Sequence, residues 1–398
     1  MYNCECVICG AGVIGLTIAR ELLAAGFEDV IVIDKEDAAG RHASGRNSGV
    51  LHAGIYYDPG TLKAKMCLEG NLRMQAYCEE NGLPLFKSGK VIVARDRSEM
   101  GALDELERRA TANGASVHMV DEKQLAEIEP NAKTVNRALH SPLTSVVEPK
   151  RVLQAMQAEL ETSGRVRFLF NTRFVGADAK KIATDRGDIG YELFINAAGA
   201  YSDTVAKDFG IAQNYQLLPF KGVYRKLKAP AAAKIKGSIY PVPNIKNPFL
   251  GVHFTRSVNG DVYVGPTAIP ALGRENYGIL SGLDGEAPSI LMRDLQLFFH
   301  NEKFRNIALE EPRKYLFSHF YKDAARLVRH IAPNDFVASP KVGIRPQLVD
   351  VETKELVMDF VVETAEKSVH VLNAISPAFT SAMRFAELIV KERVSEVR

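Results

Sequence analysis

Short apolar runs separated by amphipathic segments open the chain and indicate alternating strands and helices. Residues 4–9 and 30–33 are apolar runs with the length of buried strands. Between them, apolar residues recur with helical spacing until Gly26. A strand, a helix and a second strand in this order form a βαβ unit, which predicts two parallel strands lying side by side.

Similar patterns continue towards the C-terminus without an internal repeat or a low-complexity stretch. Apolar and alternating runs predict strands at residues 90–94, 166–171, 174–177, 192–196, 222–227, 249–255, 262–264, 360–363 and 369–373. Helical periodicity predicts helices at residues 62–80, 98–112, 148–162, 284–332 and 380–393. The polar stretch 38–60 is too long for a simple connection, which indicates a functional loop.

Composition limits the class of protein. The 398 residues are 46% apolar and 25% charged, which is typical of a globular protein with room for two domains. A formal net charge of +2 without a basic arm argues against nucleic-acid binding. The N-terminus has no cationic leader and no apolar run reaches about 18 residues. We therefore expect a cytoplasmic protein with neither a secretion signal nor a membrane-spanning helix.

The five cysteines are an odd number in no disulfide framework, which indicates free thiols in a reducing compartment. Cys4, Cys6 and Cys9 have a spacing that superficially resembles a metal clip. They lie on an apolar strand, however, and no cluster of His or Cys follows that would complete a metal site. Thiols in such a strand behave as small core residues, so we predict no bound metal.

A glycine motif occupies the turn between the first strand and the first helix. Gly10, Gly12 and Gly15 have the spacing G-x-G-x-x-G, and the next strand ends at Asp34. Such glycines let a pyrophosphate approach the backbone at a helix N-terminus, and the acid accepts hydrogen bonds from an adenosine ribose. The motif in this context predicts a dinucleotide site; a glycine loop without a nucleotide is the alternative.

The rest of the chain favours FAD over a nicotinamide cofactor. A nicotinamide enzyme would continue with regular β and α units, whereas this chain inserts the polar stretch 38–60 and carries another loop segment near its C-terminus. An extended FAD explains both features, with its adenine end on residues 10–36 and its flavin end near residues 376–380. The predicted contacts at the adenine end are Gly10, Gly12, Ile14, Gly15, Asp34 and Lys35.

These elements predict an α/β fold with two domains. A discontinuous Rossmann-like FAD-binding domain comprises residues 1–85, 141–215 and 335–398. A smaller α+β substrate-binding domain, built on a mainly antiparallel sheet, comprises residues 86–140 and 216–334.

Four segments carry a resemblance to a known family. Residues 44–63 (SGRNSGVLHAGIYYDPGTLK), 248–256 (PFLGVHFTR), 342–347 (VGIRPQ) and 373–381 (NAISPAFTS) resemble segments of the FAD-dependent L-2-hydroxyglutarate dehydrogenase/oxidase family, in the D-amino-acid-oxidase-like superfamily. Their order and spacing hold over essentially the whole chain. Pro346 departs from the pattern, since alanine is expected there. Gly-x-Arg-Pro is similar to the segment of D-amino-acid and glycine oxidases whose arginine binds the substrate carboxylate.

The resemblance implies oxidation of L-2-hydroxyglutarate to 2-oxoglutarate by hydride transfer to flavin N5. The FAD is expected to be non-covalent, because residues 373–380 contain no cysteine. Glycerol 3-phosphate, or a small amino acid or secondary amine, is the alternative substrate of the same fold. A non-enzymatic flavin- or nucleotide-binding module is a further alternative, and it requires that no open pocket lie beside the flavin.

Cofactor contacts that accompany this hypothesis are short polar side chains, small residues and backbone groups. They are Ser44, Asn47, Ser48, Val175, Ala198, Gly199, Gly343, Ser376, Ala378, Phe379 and Thr380. By resemblance to similar flavoproteins, Val175 is expected to use its backbone at the adenine. Residues 376–380 are expected to place N–H groups near the flavin N1–C2 carbonyl edge, where they would stabilise negative charge.

Alcohol oxidation also requires a base for the hydroxyl proton, and a neutral imidazole suits that task near pH 7. His52 lies in the glycine-rich loop, and His253 lies on a strand of the predicted substrate sheet. Each is a candidate base, and each can instead be a hydrogen-bonded core histidine. Arg345, which precedes a proline, can bind a carboxylate through two parallel hydrogen bonds; a structural salt bridge is the alternative.

A dicarboxylate substrate requires a second cation. Lys63, Lys221 and Arg256 are the candidates, although Arg256 would point to the opposite face of its strand from Thr255. Thr255 and Tyr57 complete the predicted substrate contacts. The expected partners are therefore a small dicarboxylate 2-hydroxy acid and an electron acceptor, either a quinone or O2.

Aromatic and basic residues alternate through segment 284–332, which permits two interpretations. The segment can form a basic amphipathic surface that docks peripherally on the inner face of a membrane to reach quinone. Its aromatic side can instead pack on the substrate sheet, and we favour this simpler interpretation.

Overall fold

The computed structural model describes residues 2–178, 180–243 and 251–397, and the chain divides into two compact units. Unit 1 consists of Met1–Asn47, Pro149–Pro219 and Arg345–Arg398. Unit 2 consists of Ser48–Glu148 and Phe220–Ile344. Each unit contains strands and helices, so the predicted α/β class is confirmed.

The strands in the described residues are β1 (Tyr2–Cys9), β2 (Val30–Ile33), β3 (Val50–Leu51), β4 (Leu85–Phe86), β5 (Lys90–Val93), β6 (His118–Asp121), β7 (Arg137–Ser141), β8 (Ser145–Val147), β9 (Val166–Leu169), β10 (Phe174–Ala177), β11 (Lys181–Thr184), β12 (Gly187–Asn196), β13 (Tyr215–Leu227), β14 (Ser238–Pro241), β15 (His253–Arg256), β16 (Val262–Gly265), β17 (Ile269–Pro270), β18 (Phe336–Asp350), β19 (Glu355–Leu356), β20 (Val361–Ala365) and β21 (Ser368–Asn373). The α-helices are α1 (Val13–Ala24), α2 (Ala43–Arg46), α3 (Leu62–Glu80), α4 (Met100–Ala112), α5 (Glu122–Ile128), α6 (Pro149–Thr162), α7 (Ser202–Asp208), α8 (Ala229–Ala232), α9 (Ala287–His300), α10 (Glu302–Glu310), α11 (Phe317–Ala325), α12 (Ala378–Leu388) and α13 (Ser395–Val397).

A parallel sheet forms the centre of unit 1. Strand β1 pairs in parallel with β2 and β12, β2 pairs with β9, and the C-terminal end of β12 pairs with β21. Strands β10, β11 and β20 extend it by antiparallel pairing. Helix α1 packs against α6 and α12. Because β1, β2, β9, β12 and β21 run in one direction, their carboxyl ends meet at one edge, where α/β sheets bind their ligands.

Unit 2 is built on a mainly antiparallel sheet, as the sequence predicts, with the order β13, β16, β15, β14, β5, β7, β6. One face buries an apolar cluster that includes Val91, Ile239 and Phe254. Successive residues of a strand point to opposite faces, so Lys90, Tyr240 and His253 belong to the other face. This second face is also buried, but it carries polar side chains.

The boundary between the units differs from the predicted one. Residues 48–85, 141–148 and 335–344 belong to unit 2, and residues 216–219 belong to unit 1. Strands β3 and β4 pair with β8, and the Asn71 amide of α3 donates to Leu51 O (2.9 Å) and Leu143 O (3.4 Å). These long-range contacts tie the segment after the glycine loop to unit 2, and no local sequence pattern reports them.

Most predicted elements are present, with differences at special positions. The segment 284–332 is helical, as predicted, and is divided into α9, α10 and α11. Asn301 ends α9, and its side chain caps α10 by accepting a hydrogen bond from Phe304 N (2.9 Å). The predicted strand 249–255 is described only from its later part, as β15, because residues 244–250 lie outside the described residues. Strand β18 was missed, since Pro340 and Pro346 interrupt its pattern. In the described residues, no helix has both the length and the apolar character needed to cross a bilayer.

The close approach of Gly10 and Gly15 yields a stability prediction. A Cβ on Gly15 would lie 1.9 Å from the Gly10 carbonyl oxygen. We expect Gly15→Ala to lower the free energy of unfolding by about 1–3 kcal/mol, the usual cost of overpacking, measured by urea unfolding. Gly101→Ala is the control, because nothing lies within 4 Å of its Cβ position and alanine favours α4. Unchanged stability of Gly15→Ala would contradict the contact.

Candidate active site

The glycine loop between β1 and α1 leaves no room for side chains. Gly10 has a φ of +114°, and a Cβ there would lie 2.3 Å from the Ala197 carbonyl oxygen. A Cβ on Gly12 would lie 3.1 Å from Ser44 Oγ. Gly12 itself provides no side-chain cap for α1, and the Val13 N–H donates to Ser44 Oγ (2.9 Å) instead. A bare helix N-terminus of this kind is suited to a pyrophosphate.

Asp34 follows β2 and holds the loop from the other side. Its Oδ2 accepts from Ala11 N (2.8 Å), and its Oδ1 accepts from Glu36 N (2.9 Å). Burial raises the pKa of Asp34, although these hydrogen bonds oppose the shift. Each carboxylate oxygen retains a further lone pair, so the predicted hydrogen bonds to a ribose remain compatible with this placement.

Lys35 belongs to a charged cluster that the sequence did not predict. Its Nζ bonds Glu36 Oε1 and lies 2.9 Å from His42 Nε2, which is itself 2.9 Å from Glu36 Oε1. Burial disfavours the charged form of Glu36, but the hydrogen bonds from Lys35 and His42 outweigh it and lower the pKa of Glu36 to about 2. In the sequence, the only indication of this cluster is the run of charged residues directly after β2.

Ser44 and Asn47 flank the short helix α2. Because the Ser44 hydroxyl accepts from Val13 N–H, its hydrogen remains available to a phosphate oxygen. Asn47 Nδ2 donates to Ser44 O (2.6 Å) and so closes α2. Ser48, predicted with them, is the first residue of unit 2.

The C-terminal cofactor residues also follow strands of the parallel sheet. Helix α12 begins at Ala378, after β21 and the predicted contact Ser376. Phe379 and Thr380 lie in its first turn, where backbone N–H groups have no acceptor within the helix. The predicted placement of N–H donors near a flavin therefore has a physical basis.

A cavity of unit 1 lies among the loops that follow β1, β12 and β21. Its lining includes Ile14, Gly199, Pro346 and Asn373. Ala198 precedes Gly199 directly after the end of β12, so small residues border this space. The cavity brings together loops that the sequence assigned separately to the cofactor.

Val175 sits at an irregularity of the sheet. The pairing of β10 with β11 shifts register between Phe174 and Gly176, so Val175 is the bulged residue. A bulge leaves backbone groups outside the regular ladder, which agrees with the expected use of the Val175 backbone at the adenine. The glycine cradle, the acid after β2, the cavity and this bulge all fit an extended FAD.

Both candidate bases lie in unit 2, on either side of one tyrosine. The His253 ring stacks on Tyr240 with 3.8 Å between centroids, and the His52 ring meets Tyr240 edge-on at 6.4 Å. All three side chains are buried. The structure thus brings together the two histidines that the sequence proposed independently.

A main-chain hydrogen bond sets the tautomer of His253. Nδ1 lies 2.9 Å from Gly251 O. A carbonyl only accepts, so Nδ1 carries the proton and Nε2 presents the lone pair. Burial and the Lys90 ammonium lower the pKa of His253 to about 4, although the bond to Gly251 opposes the shift. The ring is therefore a neutral acceptor at pH 7.

Helix α3 anchors the loop that carries His52. The carbonyl of His52 accepts hydrogen bonds from Asn71 Nδ2 (3.0 Å) and from the Cys67 thiol (3.3 Å). Burial is the largest cause that lowers the pKa of His52, and the charges of Lys90 and His253 lower it further. His52 is likewise neutral at pH 7.

Lys90 adjoins this cluster, although the sequence analysis treated it only as the start of a strand. Its Nζ lies 4.5 Å from the ring centroid of Tyr56 and 5.1 Å from that of Tyr240. The residue is 1% exposed. A lysine at the head of an otherwise apolar strand indicates its burial, but the surrounding rings lie on other elements.

Two predicted substrate contacts, Lys221 and Arg256, bind main-chain carbonyls of unit 2. Lys221 Nζ donates to Gly278 O (2.6 Å) and so fastens a loop of unit 2. Arg256 Nη1 donates to Ala232 O (3.2 Å) and Ile235 O (2.8 Å). These bonds use only some of the N–H donors of Lys221 and Arg256, so their role as substrate ligands stays a prediction.

The other predicted substrate contacts remain predictions. Thr255 is buried on the same face of β15 as His253, because the two are two residues apart. Tyr57 contacts the ring of Tyr56 edge-on, with 6.5 Å between centroids. Lys63 is buried in the first turn of α3.

Arg345 lies in β18, in the part of that strand that belongs to unit 1, and is half-buried. The next residue, Pro346, lines the cavity of this unit. Gly343 lies in the same strand within unit 2. The placement next to a cavity-lining residue is compatible with the predicted capture of a carboxylate.

Comparison with known proteins identifies the family. The model of the family "FAD dependent oxidoreductase" matches residues 5–392. L-2-hydroxyglutarate dehydrogenase of Caenorhabditis briggsae is 33% identical, with 99% of this chain and 94% of that protein covered. The enzyme of that name from Indibacter alkaliphilus is 32% identical, with 95% and 96% covered.

The solved structure of dithionite-reduced L-α-glycerophosphate oxidase from Mycoplasma pneumoniae, with FAD bound, has the same fold. The TM-score is 0.75 at 22% identity, and the match covers 98% of this chain and 94% of that one. Together with the matches over nearly the full length, the site geometry leads to one conclusion: the chain belongs to the FAD-dependent oxidoreductase family, among the relatives of the L-2-hydroxyglutarate dehydrogenases, and FAD is its cofactor.

Proposed function

We propose that this enzyme oxidises the hydroxyl-bearing carbon of L-2-hydroxyglutarate and releases 2-oxoglutarate. The observation that carries the proposal is a buried, neutral imidazole, His253, whose Nε2 lone pair is set by the Nδ1 bond to Gly251 O. The family relationship supports the choice of substrate, because full-length relatives carry that activity in their names. FAD, when bound, accepts the two electrons and the hydrogen removed from the carbinol carbon.

In this proposal, His253 takes the hydroxyl proton on Nε2 and His52 is the alternative base. Both rings are held by fixed neighbours, Tyr240 in particular, so neither must reorganise when the proton arrives. The buried surroundings also exclude water from the transferred proton.

Arg345 is proposed to hold the substrate carboxylate beside the carbon that is oxidised. A planar guanidinium fixes a carboxylate by two parallel hydrogen bonds, which positions the adjacent carbon as well as attracting the charge. The neighbouring Pro346 restricts the backbone of Arg345 and so limits its freedom before the substrate binds.

An anaerobic panel of substrates tests the proposed activity directly. The flavin absorbance should bleach on addition of L-2-hydroxyglutarate. Bleaching by glycerol 3-phosphate, an amino acid or a secondary amine, but by no 2-hydroxy acid, would replace the proposed substrate with one of the alternatives. An absence of bleaching by all of them would favour a non-enzymatic binding module.

The electron acceptor is proposed to be a quinone dissolved in a membrane, reached by peripheral docking of unit 2. Many large apolar side chains between residues 279 and 316 are exposed, including Ile279 (87%), Phe299 (70%) and Met292 (62%). Other apolar residues of this region, such as Phe304 and Ile307, are buried. The helices therefore have one face against unit 2 and another apolar face in solvent, as interfacial helices do.

Replacing the base should separate catalysis from cofactor binding. We expect His253→Gln to lower kcat on the order of 10²–10⁴-fold, the usual contribution of a positioned base, while FAD stays bound. Wild-type kcat/KM should fall only as the pH drops towards about 4, because His253 accepts a proton only while neutral. Steady-state kinetics across pH measure both kcat and kcat/KM.

His52→Gln is compared in parallel, and His319→Gln, at an exposed histidine, is the control. Full activity in both core variants would reject both bases.

Arg345→Lys should raise the KM for L-2-hydroxyglutarate by about tenfold or more. A point charge replaces a planar, two-pronged contact, which loses orientation as well as attraction. The surface pair Arg393–Glu396 offers a matched control. Arg393→Lys makes the same substitution just before α13, 48 residues after Arg345 in sequence. A KM equal to that of wild type would mean that Arg345 has a structural role.

Membrane docking is tested by sedimentation with vesicles that contain anionic phospholipid. Wild-type enzyme should co-sediment, and a Met292→Glu, Phe299→Glu double variant should bind about tenfold more weakly or worse, since apolar burial is lost. Leu72→Glu places the same charge at an exposed leucine of α3 and serves as control. If wild-type enzyme ignores vesicles and consumes O2 with substrate, O2 is the acceptor and the docking proposal fails.

A further inference from the structure

Lys90 is a buried lysine whose ammonium nitrogen has no hydrogen-bond partner among the described residues. The hydroxyls of Tyr56 and Ser238 are also buried without a hydrogen-bond partner among the described residues. Burying a charge without a partner is costly, and natural proteins rarely retain such an arrangement without a use for it. The proposed reaction steps do not use the side chain of Lys90.

The neighbours of Lys90 are aromatic rings, a thiol and the two candidate bases. Its Nζ lies over the rings of Tyr56 and Tyr240, whose faces attract a cation. Tyr240 stacks on His253 and meets His52 edge-on, so one ring touches the lysine and both histidines. Register explains the arrangement: Lys90 pairs with Ser238 in β14, and Tyr240 follows two residues later on the same face.

We propose that Lys90 is a positioning residue: its ammonium, held between the rings of Tyr56 and Tyr240, adds to burial in keeping His253 and His52 as neutral bases. The inference rests on the proposed function, in which one of these histidines accepts the hydroxyl proton. No bond is made or broken at Lys90. It acts through its charge alone, because a cation beside an imidazole disfavours the imidazolium.

Lys90 is the group of this cluster that becomes charged near pH 7, because the thiol and the tyrosine hydroxyls beside it stay neutral there. Burial lowers the pKa of Lys90 to about 7, and only a charged Cys67 thiolate would oppose this shift. The pKa of Cys67 is itself raised to about 12 by burial, so the thiol is neutral at pH 7 and contributes no anion. Burial likewise raises the pKa of Tyr56 and Tyr240 above the ordinary value. Below pH 10 the tyrosine hydroxyls and the thiol already carry their protons, so Lys90 is the next group of the cluster to gain one as the pH falls.

Between about pH 4 and pH 7 the cluster therefore holds one charge, on Lys90, and His253 remains neutral. A second proton on His253 would face the first one across Tyr240. Burial is the largest cause of the low pKa of His253 and the charge of Lys90 adds to it, so the base stays neutral at a pH where an ordinary histidine would be charged. A methionine at position 90 would keep the apolar bulk of the side chain and remove this repulsion.

The test is a titration of His253 in the FAD-loaded enzyme, followed by NMR of ¹³C-labelled histidine rings. His253→Gln assigns the resonance. We expect Lys90→Met to raise the pKa of His253 on the order of one pH unit, and the acidic limb of kcat/KM to move up with it. Lys90→Gln also removes the charge and must give the same direction. Lys341→Met is the control, because Lys341 also lies over two tyrosine rings, Tyr224 and Tyr263, but is half-buried.

Thermal unfolding gives a second readout that needs no substrate. The unfolded state binds a proton at Lys90 up to about pH 10.5, whereas the folded state loses it near pH 7. Between pH 7 and pH 10 the unfolded state holds more protons than the folded state. The free energy of unfolding of wild type should therefore rise in this range relative to that of Lys90→Met. The difference in Tm between the two proteins should change in that direction.

The outcomes separate this inference from the proposed function. A pKa of His253 that is unchanged in both Lys90→Met and Lys90→Gln would overturn the positioning role, even if L-2-hydroxyglutarate bleaches the flavin. A raised pKa in both variants supports it, even if another substrate class proves correct. An equal shift in Lys341→Met would also overturn it, because the effect would then not be specific to Lys90.

Discussion

A close contact of Gly10 with Gly15 and Ala197, with no space for a Cβ on either glycine, fixes the turn between β1 and α1. It joins the end of β1, the start of α1 and the end of β12 in one place without a side chain between them. The Asp34 carboxylate closes the same turn by binding Ala11 N–H. All parts of the predicted cofactor site in unit 1 other than Val175 follow strands that end at this edge, so the contact sets their spacing.

Unit 2 buries groups that can accept a proton in an interior without water. Its sheet buries an apolar face in the ordinary way, and the opposite face buries histidine, tyrosine and lysine. Stacking on Tyr240 and the bond to Gly251 O give His253 a fixed orientation, which replaces the water that would otherwise solvate it. Desolvation then becomes useful, because a base in water would lose its neutral form nearer to pH 6.5.

The sequence predicted what depends on local pattern. The apolar runs of β1, β2 and β12, the glycine loop and Asp34 follow from periodicity and steric need. The two candidate histidines, one on a loop and one on a strand, follow from the need of alcohol oxidation for a neutral base. Contacts between distant segments were beyond it. Asn71 draws residues 48–85 into unit 2, and the partners of Arg256 are carbonyls some twenty residues away in sequence. Lys90 was missed because its character comes from rings on other elements, not from its own strand.

Strand β12 shares one side between two partners, since its first residues pair with β11 and its last three pair with Ser368–His370 of β21. The second partner, β21, is synthesised late, because almost the whole chain separates it from β1. A ribosome must therefore translate past residue 373 before this edge of unit 1 acquires its last parallel strand. Until then, the nascent chain must keep the exposed edge of β12 from pairing with other strands.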